Sequence, residues 1–103
     1  MDEILDKITL IIETYESGKF INRDDLVTMN RQLSCNIYYL TKYNVDSFYR
    51  YNSIKHNEKT SVAKAEIKAN ELVPELRMTR KILEAARGVS IAMNNELSIM
   101  KRD

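Results

Sequence analysis

Residues that turn, staple or interrupt a chain are scarce here: two glycines, one proline and one cysteine in 103 residues, with no tryptophan. A β-sandwich or barrel needs a turn signal about every ten residues, and an α/β fold needs turns between alternating strands and helices, so both are disfavoured. The one thiol, Cys35, has no intrachain disulfide partner and no second thiol for a metal site, which points to a reducing compartment. The one histidine, His56, stands beside Asn57 and Glu58, which do not make a ligand set, since a metal needs three or four converging donors. Charge of one sign is also missing. Sixteen Lys and Arg against fifteen Asp and Glu leave a net charge of +1, so no overall field draws the chain to nucleic acid or an anionic membrane. No apolar run approaches the roughly 18 residues of a membrane helix. The first residues are acidic and their apolar run is interrupted by charge, unlike a signal or transit peptide. A cytoplasmic location is expected by elimination.

What is present is helical periodicity. In alternating steps of three and four, the chain reads Val62, Ala65, Ala69, Leu72, Leu76, Thr79, Leu83, Ala86, Ser90, Met93, Leu97 and Met100, ten of these twelve being apolar. Such a row is the seam of a long helix that faces another helix along its length. The spacing predicts three helices in one all-α domain spanning residues 1–103, over about 2–16, 23–57 and 61–101. The first carries Ile4, Ile8, Ile11 and Tyr15 on one stripe and ends at Ser17 and Gly18. The second starts at an Asn22 cap, with Asp25 placed to reach back and Ile21 and Leu26 at staple spacing. Its stripe is Leu26, Met29, Leu33, Ile37 and Leu40, then more loosely Phe48, Tyr51 and Ile54. Thr60 or Ser61 caps the third helix. Pro74 lies opposite its seam, where a kink that keeps the seam is expected and a break into two helices is the alternative. Gly88 lies on the same outer face.

Lengths then set an expectation about assembly. At about 1.5 Å per residue the last helix spans roughly 55 to 60 Å, so the expected form is an elongated, coiled-coil-like antiparallel hairpin. A first helix of about four turns covers only part of its groove. Self-association into a dimer or higher helical bundle would bury the remainder. The seam expected to meet a partner comprises Leu26, Leu33, Ile37, Leu40, Leu72, Leu76, Leu83, Ala86, Met93 and Leu97.

Chemistry is weakly represented. Asp24 and Asp25 are expected at a helix start for capping and dipole reasons, and Glu71 and Glu75, one turn apart, make a solvated face. The serines lack a base with an orienting partner, and there is no phosphate-binding glycine loop. No catalytic residue, metal, cofactor, small-molecule substrate or membrane contact is expected. Cys35, between Leu33 and Ile37, reads as a small buried hydrophobe. The most unusual local composition is Tyr38, Tyr39, Tyr43, Tyr49 and Tyr51 interleaved with Lys42, Arg50 and Lys55. Aromatic rings among cations stack on bases and neutralise phosphates. They serve equally as the margin of a packed interface. With the basic row Arg77, Arg80, Lys81 and Arg87, residues Tyr39, Tyr43 and Arg50 form the candidate nucleic-acid contacts.

The stretch at residues 61–69, Ser-Val-Ala-Lys-Ala-Glu-Ile-Lys-Ala, follows a tyrosine-bearing helix and leads to a terminal Asn-Glu-Leu-Ser-Ile-Met-Lys at residues 95–101. This layout resembles small all-α accessory proteins of tailed phages and prophages, in outline over residues 33–101, with Pro74 as a departure. The resemblance implies a phage or mobile-element protein acting by binding inside a host cell, and transfers no catalytic residue. The expected function is therefore a non-catalytic helical interaction module, homo-oligomeric and docking on another protein. The second reading is a nucleic-acid-binding accessory factor for recombination or replication.

Overall fold

The computed structural model describes residues 1–56 and 61–102. The fold is all-α, with no strand among the described residues. Helix α1 is Asp2–Glu16, α2 is Arg23–Lys55, α3 is Val62–Asn70 and α4 is Val73–Arg102. The chain is rod-shaped, 63 × 21 × 17 Å, with a radius of gyration of 18.0 Å, against about 13 Å for a compact domain of this length.

Local chemistry explains where each helix starts and stops. At α2, the Asn22 side chain accepts from the Asp25 N–H at 2.9 Å and its amide donates to the Asp25 carboxylate at 3.1 Å. The reciprocal contact therefore runs through the Asn22 side chain, where a capping box would use its backbone N–H. Gly18, at φ +76°, takes the left-handed conformation that releases the chain from α1. Ser61 caps α3 by accepting from the Lys64 N–H at 3.3 Å. Thr60, the other candidate cap, and the residues 57–60 of the expected reversal lie outside the described residues.

The single helix expected over 61–101 is interrupted at Glu71 and Leu72, giving one long bent rod made of α3 and α4. Pro74 is the cause. It has no N–H to give the Asn70 carbonyl, and its ring crowds that same carbonyl, so the α-helical ladder fails one turn upstream. Leu72 instead donates to the Ala69 carbonyl at 3.0 Å, a tighter three-residue closure, and Leu76 donates to the Leu72 carbonyl as α4 begins. The seam passes through the bend: Ala65, Ala69, Leu76 and Thr79 are buried on either side of it.

Partners across the seam occur in opposite order along the two elements. Asn30 meets Ser90 and Asn94, Thr41 meets Arg87, and Asn44 meets Thr79. Helix α2 therefore runs antiparallel to α3 and α4. Helix α1 folds back along α2 and joins α4 through the Tyr15 hydroxyl, which donates to Glu96 at 2.9 Å. Leu5, Ile8 and Ile11 of α1, Leu26, Leu33 and Leu40 of α2, and Leu83, Ala86, Val89 and Met93 of α4 make one core. At roughly 1.5 to 3 kcal/mol per large side chain, this cluster carries most of the hydrophobic stabilisation.

Candidate docking surface

The seam named above for a partner turns out to be the chain's own interior. Leu26, Leu33, Leu40, Leu76, Leu83, Ala86 and Met93 are buried within one copy, and Ile37, Leu72 and Leu97 are half-buried. The expectation that these residues need a second copy is corrected. Helix α1 fits the groove between α2 and α4 where their side chains are large, and the small Ala65 and Ala69 let the bent rod close on α2 without a third helix. Two members of the expected stripes fall outside the core. Val62 is 74% exposed because the descending order of partners carries its opposite number past Lys55, where α2 ends. Phe48 lies beyond the reach of α1 and stays 45% exposed.

The candidate nucleic-acid residues are dispersed. Tyr39 lines a groove of about 570 Å³ between α1 and α2, opposite Ile4, Lys7 and Leu10 and next to Gln32 and Cys35. Tyr43 donates a hydrogen bond to Glu75 on that same side of the seam, with Arg50 near enough for its charge to act on the phenol. Arg87 lies on the other side, its guanidinium donating to Thr41 Oγ1 at 3.4 Å, and Arg80 is two helical turns before it on the same stripe. Arg77 and Lys81 flank a third surface, the back of α4 beside Pro74 and Met78. One strand cannot run over all seven residues, because stacking rings and phosphate-binding cations must share a continuous track.

Polar groups inside the seam are satisfied. Thr79 is 1% exposed, yet its hydroxyl donates to the Leu76 carbonyl at 3.1 Å and accepts from the Asn44 amide at 2.6 Å. Among the described residues no buried side-chain polar atom lacks a partner, and no group of histidine, cysteine and acidic side chains is arranged to hold a metal. Two tyrosines have altered acidity. Burial, then the hydrogen bond to Glu96, raises the Tyr15 pKa above the ordinary tyrosine value. At Tyr43 the hydrogen bond to Glu75 dominates, burial adds to it, and the Arg50 charge partly offsets both. Both hydroxyls act as interhelical ties that hold while they keep their protons.

The chain matches no protein-family model, no curated protein and no solved structure. No helix among the described residues is long and apolar enough to cross a membrane. Function has to be read from the surface itself.

That surface carries rows which the seam pattern obscured. On α2, opposite Leu26, Leu33 and Leu40, residues Arg31, Cys35, Tyr38, Lys42, Val45 and Tyr49 follow one another in steps of four and three, all exposed. Cys35 is thus not the buried hydrophobe expected from its neighbours. Two residues past Leu33, it lies roughly 200° around the helix, facing solvent. The signal for this row was available as a second period on a helix that already had one.

Proposed function

We propose that this chain is a non-catalytic helical interaction module that acts by docking on another protein. Its coiled-coil-like hairpin, α2 against α3 and α4, is the scaffold. The observation that carries this reading is the state of α2 beyond Leu40. Once the core has closed within one copy, Val45, Phe48 and Tyr49 remain 45 to 68% exposed within five residues of each other. Apolar side chains exposed singly are ordinary, whereas a contiguous group is a recognition surface. The rigid antiparallel scaffold presents it at little entropic cost, which favours docking over folding on binding. A phage or mobile-element accessory role in a host cytoplasm belongs to the same proposal, supported by the likeness of residues 61–69 and 95–101 to such proteins.

The test uses the full chain as bait in a lysate of its host, beside a Val45→Asp/Phe48→Asp variant shown by circular dichroism to keep its helicity. A protein retained by the first and lost by the second, identified by mass spectrometry, is the expected outcome. Retention by both overturns the assignment of the strip. Low-salt binding of single-stranded DNA, abolished by Arg80→Ala/Arg87→Ala, would replace this reading with the nucleic-acid one.

A further inference from the structure

Beyond the distal strip, the face formed by α1 and the first half of α2 carries two rows of opposite charge. On α1, Glu3, Asp6, Leu10 and Glu13 follow one another in steps of three and four, all exposed, and Leu10 is 64% accessible. Three are acids and none is a cation. On α2, the corresponding part of the outer row is Arg31, Cys35, Tyr38 and Lys42, two cations and no acid. Neither row is fully paired within the chain: Asp6, Glu13, Arg31 and Lys42 have no ion-pair partner among the described residues, and Glu3 has only Lys7 beside it. Among the described residues the only ion pair is Lys7 with Glu3 at 3.6 Å, an exposed pair one turn apart, of a kind that contributes little. The groove between the rows is open, with Ile4, Lys7 and Ile11 on one wall and Gln32, Asn36 and Tyr39 on the other.

We propose that this face binds the same face of a second copy, about a two-fold axis parallel to the long axis of the rod, so that α1 of each copy lies over α2 of the other. The register follows from the fold. Helices α1 and α2 are antiparallel, and the groove between them is lined from Ile4 to Ile11 on one and from Gln32 to Tyr39 on the other, so matching the ends of the two stretches sets Ile4 level with Tyr39 and Ile11 level with Gln32. A rotation about an axis along the helices leaves these levels unchanged. Glu3 of the second copy then comes within about two residues' rise of the level of Lys42, and its Glu13 within one of Arg31. The spans agree as well: ten residues from Glu3 to Glu13 and eleven from Arg31 to Lys42, roughly 15 and 16 Å. A two-fold axis across the helices would instead set α1 on α1, acid on acid, and α2 on α2, where Lys42 would oppose a cation row. Charge therefore selects the axis. The interface closes on itself, pairing both rows twice and covering Leu10 and Tyr39.

Sedimentation of the full chain over a range of concentrations tests this. The wild type is expected to form a dimer that weakens with salt. Arg31→Glu/Lys42→Glu is expected to weaken it at least about tenfold with helicity unchanged. Glu3→Lys/Glu13→Lys should do the same. Mixing the two variants should restore a dimer, because each then supplies the charges the other's rows require. A wild type that stays monomeric at every concentration overturns the proposal, as does a dimer indifferent to these reversals or a mixture that stays dissociated. The residues differ from those of the distal strip. A monomer that still captures a partner through Val45 and Phe48 refutes self-association alone, and a charge-dependent dimer that captures nothing refutes the docking reading alone.

Discussion

The two ends of the rod are built differently. At the end where α1 is present, three helices enclose a cluster of large aliphatic side chains drawn from all of them. At the other end only α2 and the bent rod meet. There the buried residues are Ala65, Ala69, Leu76 and Thr79, and α2 from Thr41 to Lys55 contributes no buried side chain at all. Two helices can bury only the strip along which they touch, so the distal half closes with small side chains and interhelical hydrogen bonds. The comparison teaches that the same seam period serves two kinds of closure. One derives its strength from volume, the other from close approach and polar pairing.

Introducing a charge into the three-helix end should have the largest effect. Leu83→Asp buries a carboxylate among Leu5, Leu26 and their neighbours, at a cost of about 4 kcal/mol or more, a large fraction of the stability of a domain this size. Loss of the helical circular dichroism signal is expected, whereas an unchanged spectrum would place the core elsewhere. A milder change separates the two ends. Ala69→Leu forces bulk into the distal approach, where the alanine is fully buried, and should cost about 1 to 3 kcal/mol. Hydrogen exchange should then show faster opening of residues 41–55 with protection at residues 26–40 retained; uniform loss across α2 would mean the ends fold as one unit.

Alkaline pH acts on both ends through their tyrosine ties. Because the folded pKa values of Tyr15 and Tyr43 are raised, their contribution is fully present below the unfolded value of about 10 and is lost as pH rises through the folded values. Denaturant titrations should show stability falling above pH 10, and Tyr43→Phe should flatten that fall while Tyr15→Phe flattens the remainder. A pH profile in both variants that matches the wild type's would show that the ties carry no stability. The smallest expected effect is at Gly88, whose missing Cβ would meet nothing within 4 Å. Gly88→Ala should stabilise α4 by about 0.5 to 1 kcal/mol, seen as a higher Tm, with no preference for either end.

Much of this architecture is legible in the sequence. The 3–4 row picked out Ala65, Ala69, Leu76, Thr79, Leu83, Ala86 and Met93, all of them buried, and the Asn22 and Gly18 signals marked the ends of helices. Cys35 shows a different limit. Its neighbours in sequence are buried, but helical geometry turns it outward, and only the angle, not the neighbourhood, carries that information. The dispersal of Tyr39, Tyr43, Arg50, Arg77, Arg80, Lys81 and Arg87 over three surfaces was hidden for a related reason. Periodicity groups residues within one helix and is silent about how two helices are rotated against each other.

Residue spacing was enough to establish the helices and their apolar edges and to mark Pro74 as a point of kink or break, because these depend on backbone geometry and on side chains within one turn of each other. Whether the long edge would be hidden from inside or by a second molecule depended on where α1 came to rest. Its position follows from the fit of Leu5, Ile8 and Ile11 against side chains up to about ninety residues away, and no local pattern encodes that fit. With the edge hidden from inside, what remains exposed is the outward rows, which owe their relative placement to packing between helices.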